Sequence, residues 1–419
     1  MSSAFSNALA GLTANAQAIN IVSSNLANLS TTGYKEQRVS FQDLVNETLS
    51  GLSNTGSITG ATVAQSQQSF TQGSLQTTSE PFDAAIEGDG FFVVKGTSGE
   101  QLFTRQGNFS VDSAGRLLTS MGQIVQGWNS AGGVLNTNGP VTAIQLPTTL
   151  IEAPVATTKF SVTANLNSNA AVGGPNATFS SPFRVFDSQG NSHTLTVSFT
   201  ETAANTWTYN VTIPSSDLTA GGAPGATTNV GTGSVAFDAN GKLITPAAAA
   251  GGIAVAIPGL ASGAADLAMT WDLYSPEGAP MLTQFNSASA NLASSQDGNA
   301  PGQLVNMSIG KGGVISAQFS NGSTQSVGQL AVASILNPTT MVQVSGNNFA
   351  PTALTANPVI GLPATGARGD VSGGALEGST VDIATEFTNM MLYQRGYQAS
   401  SKVITTEDTM IQTTIALIR

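Results

Sequence analysis

The sequence predicts a mixed, mainly β fold. It comprises two nested antiparallel β domains of sandwich or barrel type, with long N- and C-terminal α-helices pairing as a coiled-coil domain. Three observations lead there. Heptad-like apolar steps are confined to the two ends of the chain. Between them, short runs rich in β-branched and aromatic residues alternate with Gly, Asp, Asn and Pro turns. The style of the first β region, around 86–119, returns at 302–333 after a stretch of different character, which places one β domain inside the other.

In chain order, residues 3–28 come first. Phe5, Leu9, Leu12, Ala16, Ile19, Ser23 and Leu26 step 4-3-4-3-4-3, and six of the seven are apolar. Gln, Asn, Ser and Thr fill the other faces, so this helix is marginal in water unless its seam is covered, and Gly11 weakens it by about 1 kcal/mol relative to Ala. Asn25, Asn28 and Thr31-Thr32-Gly33 then supply helix-ending residues, with Gly33 suited to positive φ. From Glu36 to Leu75 the composition is Gln/Ser/Thr/Gly-rich, which reads either as a linker or as a segment that orders only against a neighbour.

Strand character begins at Ile86, where Gly88-Asp89-Gly90 forms a turn before Phe91-Phe92-Val93-Val94. Asp-x-x-Gly recurs between strands at Asp112–Gly115, Asp187–Gly190 and Asp238–Gly241. These are hairpin turns in which Asp accepts from turn amides and Gly takes the left-handed position. Calcium loops are disfavoured, because the alternating carboxylates and distal Glu are missing. Further strands follow at 159–166, 183–186, 193–199 and 207–213, and Asn321-Gly322 marks another hairpin.

The stretch from Glu377 to Arg419 contains no Pro and, after Gly378, one Gly (Gly396), and reads as a single helix of about 60 Å. Ser379 and Asp382 resemble a capping box at its start. Its seam runs Ile383, Phe387, Met390, Gln394, Tyr397, Ser401, Ile404, Asp408, Ile411, Ile415 and Ile418, with eight of eleven positions apolar. The expected division is therefore 1–30 with 375–419 as the helical domain, 31–78 as a connection, 79–145 with 291–374 as an inner β domain, and 146–290 as an inserted outer β domain.

Composition narrows the function. Lys+Arg total 13 against 24 Asp+Glu, a net charge of −11, which excludes the basic clustering of a nucleic-acid binder and the polybasic patch of an anionic-membrane binder. Only 9% of residues are charged, against roughly 25% in ordinary domains. A polar, uncharged surface costs little to desolvate against copies of itself, a bias shared by surface-layer, adhesin and appendage subunits. There is no Cys, hence no disulfide or thiolate metal site. No stretch is apolar enough to insert in a membrane, and the N-terminus lacks the pattern of a cleaved secretory signal.

No catalytic, metal-binding or cofactor-binding constellation is found, and no cofactor is expected. His193, the one histidine, sits in strand-like alternation and reads as an ordinary strand residue. Asp and Glu are scattered without the pairing of a glycosidase, and Gly88-Asp89-Gly90 precedes a strand rather than a helix, unlike a dinucleotide loop. A β-rich hydrolase is the enzymatic rival, and it lacks a visible carboxylate or basic cluster.

Several motifs resemble those of the bacterial flagellar rod and hook axial proteins. They are Ser23 to Asn28 with Thr32-Gly33-Tyr34-Lys35, Glu87 to Val93 with Gly88, Gly90 and Phe91, Phe103 to Phe109, Gly122 to Gly127, and the C-terminal run Tyr393 to Ile404 with Gln394, Arg395, Gly396 and Tyr397. Ser24 departs from the Asn often found there. Length and the large central insertion point to the hook members, with the distal rod protein and a non-flagellar appendage or adhesin subunit as alternatives. The resemblance implies a self-assembling homopolymer, a curved tube acting as a universal joint that passes torque from rod to filament. It further implies export by the flagellar type III apparatus without a cleaved signal, an extracellular location, and contacts with the distal rod protein, the hook cap protein and the hook–filament junction protein. The terminal seams, Phe5, Leu9, Leu12, Ile19 and Leu26 with Ile383, Phe387, Met390, Tyr397, Ile404, Ile411, Ile415 and Ile418, would then hold the tube together.

Overall fold

A computed structural model describes residues 3–45 and 58–417. The chain divides into two compact units, one formed by Met1–Thr148, Asn306–Ala317 and Thr324–Arg419, the other by Thr149–Val305 and Gln318–Ser323.

The first unit carries both helices, α1 (Ser3–Ala27) and α2 (Ile383–Leu417). Helix α1 stops where Asn28 turns its amide back onto the Ser24 carbonyl at 2.9 Å and Gly33 adopts φ +67°. The Glu36–Leu75 stretch holds an antiparallel hairpin, β1 (Gln37–Val45) and β2 (Ile58–Gln68), packed on α1, with a bulge between Gln42 and Leu44. Apolar alternation does not announce it, because the pairing rests on backbone hydrogen bonds and on the helix it lies against.

Next, β3 (Leu75–Thr77) pairs with Ala375–Glu377 and β4 (Ala84–Glu87) pairs with Asp370–Gly373, so the segment that enters α2 is stitched to the segment that leaves β2. Strand β5 (Phe91–Lys95) is central, pairing with β6 (Gln101–Thr104), Ile124–Ala131 and Val332–Ser334. Early and late chain thus share one sheet. Phe70, Phe91 and Phe349 meet edge to face at 5.1–5.9 Å in its core.

The second unit has two sheets. One runs in order through Thr178–Phe186, Ser192–Ala203, Thr206–Pro214, Thr227–Phe237 and Leu243–Thr245, all antiparallel. Burial alternates along Trp207, Tyr209, Val211 and Ile213, as a half-buried strand requires. The other sheet is built on Lys159–Asn167, which pairs antiparallel with Ala290–Gln296 along one edge. Along its other edge it makes two short parallel pairings, with Leu267–Asp272 and Leu282–Phe285, a departure from the all-antiparallel reading. Such pairings need long crossovers, which local turn signals do not reveal. Trp271 meets Tyr209 at 5.2 Å and Phe199 at 6.1 Å in the shared core.

The three Asp-x-x-Gly segments are tight turns. Asp112, Asp187 and Asp238 each accept two turn amides at 2.8–2.9 Å, and the following glycines have φ between +74° and +86°.

Candidate functional site

The two helices lie against each other, but not through the seams expected. The Cβ of a residue at Gly11 would stand 3.0 Å from Ser400 Oγ, that of a residue at Gly396 2.7 Å from Asn15 Oδ1, and Asn25 Nδ2 donates to Glu386 Oε1 at 3.1 Å. As residue numbers rise along α1 they fall equally along α2, so the pair is antiparallel. The packed face of α1 is Gly11, Asn15, Ala18, Val22 and Asn25, and that of α2 is Glu386, Tyr393, Gly396 and Ser400. Both lie one residue before the expected steps, a rotation of about 100°. Close approach of two helix backbones favours Gly, Ala, Ser and Asn, and the apolar pattern does not weigh that.

The seam of α2 is left largely open in the single chain, and that of α1 is partly covered. Phe5, Leu12, Ile19, Leu26, Met390 and Ile404 are half-buried, whereas Leu9, Ile383, Phe387, Tyr397, Ile411 and Ile415 are exposed; Ile418 lies outside the described residues. Leu392, Val403 and Met410 add to this surface at 62%, 46% and 62% exposure. Ala399, Lys402, Val403, Thr406, Glu407 and Met410 line a shallow apolar groove, and every residue from Asp408 to Ala416 is exposed. An isolated helix end this rich in Met, Ile and Thr is marginal in water. Its surface is suited to association with other polypeptide.

Beneath the helices, residues scattered through the motifs form one buried polar junction. Helix α2 begins at Ile383 rather than near Glu377, with Asp382 as its cap, accepting the Thr385 amide at 2.7 Å. Ser379 instead accepts the Val381 amide, so the capping-box reading started the helix too early. Glu377 remains in a strand and is completely buried. Its Oε1 accepts from Lys35 Nζ at 2.7 Å and from the Gly73 amide at 2.8 Å, and its Oε2 accepts from Arg105 Nη1 at 3.2 Å.

Lys35 Nζ also donates to the Thr71 carbonyl at 2.6 Å, and Arg105 Nη2 to the Gly88 carbonyl at 2.8 Å, while its guanidinium lies 5.3 Å from the Phe91 ring centre. Burial lowers the Lys35 ammonium and the Arg105 guanidinium from their ordinary values, against the opposing pull of Glu377. Gly33 belongs here by sterics: a Cβ would stand 2.7 Å from the Arg105 carbonyl carbon. Gly90, at φ +130°, would drive a Cβ to 2.7 Å from Val332, and Gly88 turns at φ +99°.

A second knot sits on Asn25. Its Oδ1 accepts from Tyr34 Oη at 3.2 Å and from the Gln37 amide at 3.0 Å, while its Nδ2 donates to the Gln37 carbonyl at 2.8 Å and to Glu386. Asn25, Gly33, Tyr34 and Lys35 therefore lock the exit of α1 to the entry of α2, and Asn28 caps the turn between them. Gln394, Arg395 and Tyr397 are exposed on α2, and only Gly396 of that run is spent on helix contact. Sequence reasoning missed Glu377, Arg105 and Glu386 as members. In a chain this poor in charge, ionic residues embedded in otherwise uncharged segments are the available signal.

His193 is buried in the second unit, but it has more partners than an ordinary strand residue. Nδ1 lies 3.0 Å from Asp217 Oδ2 and Nε2 3.3 Å from Asp187 Oδ2, which also accepts from Ser262 Oγ at 2.8 Å. The serine bonds the carboxylate and not the imidazole, so this is a clamp between loops and not a nucleophile–base pair.

The chain matches four family models: the Flagella basal body rod protein over 5–35, the Flagellar hook protein FlgE/F/G D1 domain over 85–165, the Flagellar basal body protein FlaE D2 domain over 165–299, and the Flagellar basal body rod FlgEFG protein C-terminal over 372–417. It is 32% identical to the flagellar hook protein FlgE of Rhizobium meliloti (strain 1021), covering 98% of each chain. It is 31% identical to the flagellar hook protein FlgE of Escherichia coli (strain K12), covering 99% of this chain and 100% of that one. The crystal structure of Helicobacter pylori flagellar hook protein FlgE2 shares the fold, with a TM-score of 0.52 at 16% identity over 71% of this chain and 99% of that one. The motifs that build the junction fall inside the matched segments, and with similarity running end to end the chain belongs to the flagellar hook protein family, as a structural subunit of the flagellum.

Proposed function

We propose that the uncovered faces of α1 and α2 are the surfaces through which subunits polymerise into the hook tube, and that the buried junction fixes the helix pair to the β sheet beneath it. The observation that carries this is the apolar exposure along α2, at Phe387, Leu392, Val403, Ile411 and Ile415, in a helix where every residue from Asp408 to Ala416 is exposed. In this reading Phe5, Leu9, Leu12, Ile19 and Leu26 join Ile383, Phe387, Met390, Tyr397, Ile404, Ile411, Ile415 and Ile418 in holding copies together. Gly11, Asn15, Gly396 and Ser400 hold the helices of one copy.

The division of labour follows the composition. Residues 1–30 with 375–419 make the inner tube, 79–145 with 291–374 the inner β layer, and 146–290 an outer domain whose Ser/Thr/Asn/Gly surface slides against neighbours as the tube bends. Each sliding contact exchanges hydrogen bonds worth about 1 kcal/mol with few charges to desolvate. The tube acts as a universal joint carrying torque from rod to filament. It is assembled outside the cell from subunits passed through the type III export apparatus, under the hook cap, between the distal rod protein and the hook–filament junction protein.

Electron microscopy of the full chain beside a chain lacking 1–27 and 383–419 tests the assignment. Curved tubes from the full chain and dispersed β-rich monomers from the shortened one are expected. Tubes from both would place polymerisation in the β domains instead.

A further inference from the structure

A pocket of about 430 Å³ opens where α1, β1 and the first turns of α2 meet. Three carboxylates line it, Glu36, Asp382 and Glu386, with one cation, Arg38, whose Nε is already paired with Glu36 at 3.2 Å. Asp382 is occupied in capping α2. Glu386 is the unusual member. It is 2% exposed, its Oε1 accepts from Asn25, and its Oε2 is buried with no hydrogen-bond partner among the described residues. A buried carboxylate oxygen without a donor is costly, so such groups are met by a proton or by a cation. Burial holds this carboxyl above its ordinary range despite the Asn25 bond, and the charges of Glu36 and Asp382 add to the effect.

With Arg38 engaged by Glu36, a further cation for Glu386 would come from another molecule. Helix α2 carries Arg395 and Lys402, both exposed and without a carboxylate partner among the described residues. Arg395 is nine residues after Glu386, which is two and a half turns and about 13.5 Å along the same helix, on the opposite face. It cannot fold back to its own pocket. Lys402 commits its stem to the apolar groove beside Val403 and Met410. A guanidinium also suits the site better than an ammonium, because its planar fork can serve Glu386 and a second carboxylate together.

We infer that Arg395 of a neighbouring copy enters this pocket and pairs with Glu386, with Glu36 and Asp382 completing the cation site. This rests on the reading that copies associate through their helices. Acceptor and donor on opposite faces of one helix make a head-to-tail contact, the kind that repeats into a ring or a helical tube rather than closing a dimer. Glu386 is then a residue whose desolvation is relieved on assembly, coupling subunit addition to a charge buried in advance.

The test measures the critical concentration for tube formation by the full chain and by Arg395→Gln, Glu386→Gln, the double variant and Lys311→Gln, with circular dichroism and thermal melts confirming the fold of each. Lys311 is exposed in the same unit and far from the helices in sequence, and controls for loss of one positive charge. Arg395→Gln is expected to raise the critical concentration at least about tenfold, the low end for close interfacial charge pairs, and Lys311→Gln less than about threefold. The double variant should assemble no worse than the poorer single variant, because the two side chains lose the same contact. Equal critical concentrations for Arg395→Gln and the unmodified chain would overturn the inference, as would effects that multiply in the double variant. Failure of the unmodified chain to form tubes would instead count against the polymerisation reading on which this one rests.

Discussion

Replacing Glu377 by Ala removes the acceptor on which three elements converge. The side chain is fully buried, and its loss strips the counter-charge from Lys35 at 2.7 Å and Arg105 at 3.2 Å, themselves nearly inaccessible to water, and the partner from the Gly73 amide. Lys35 can escape by giving up its proton, since burial already lowers its affinity for it. Arg105 has no such exit and stays charged beside the Phe91 ring. Breaking a buried pair in this way costs about 3–5 kcal/mol. The chain's three tryptophans divide usefully, with Trp128 in the first unit and Trp207 and Trp271 in the second. Labelling with 5-fluorotryptophan and following each ¹⁹F resonance through a urea titration therefore reports the first unit by itself. At a slope of about 3 kcal/mol per molar, the Trp128 midpoint falls by about 1–1.7 M. A fall below about 0.3 M is what an exposed surface pair would give, and it would refute the junction's structural role.

Other substitutions probe the same architecture. Gly33→Ala places a side chain at φ +67° against the Arg105 backbone, so a loss of about 2 kcal/mol or more is expected in the Trp128 transition. Gly396→Val drives a side chain into Asn15, whose amide is held by a 2.7 Å bond to the Gly11 carbonyl. Overpacking of about 1–3 kcal/mol should separate α2 from α1 and lower helical ellipticity at 222 nm in the monomer. In the second unit, burial alone would raise the Asp187 carboxyl, but bonds from Asn191, Ser262 and His193 outweigh it and hold it well below the usual carboxylate range. The unfolded chain takes up that proton first, so the stabilisation is present above the ordinary value of about 3.9 and drains away as pH falls beneath it. Asp187→Asn should flatten the decline in the Trp207 and Trp271 midpoints between pH 5 and pH 3, and an unchanged decline would refute the assignment.

Legibility followed the range of each physical signal. Local turn chemistry was readable, because Asp112, Asp187 and Asp238 act through amides two and four residues away. The helices were readable from their 4-3 steps, yet the steps marked the faces left open and not the face where α1 meets α2. Hydrophobic periodicity reports where apolar groups lie, while close helix contact selects Gly11, Gly396 and Ser400, which carry no apolar signal. The hairpin of β1 and β2 was hidden for a related reason, since Gln and Ser alternate there as readily as Val. The junction was hardest. Lys35, Arg105 and Glu377 are separated by 70 residues or more, and each is unremarkable until three distant segments converge. The motifs that resemble the family contained Lys35 and Arg105, but nothing in them specified a partner at Glu377. From sequence alone that residue reads as the start of a helix.

If the open apolar surface of α2 builds the polymer, placing charge on it stops assembly. Ile411→Glu with Ile415→Glu, made together in the full chain, probes it. The two residues lie four apart on the open seam, and Glu sustains a helix. Electron microscopy and sedimentation velocity at matched concentration should show tubes for the unmodified chain and monomers for the variant, with the Trp128 urea midpoint the same in both. Tubes from the variant at the same concentration would mean that this surface does not build the polymer.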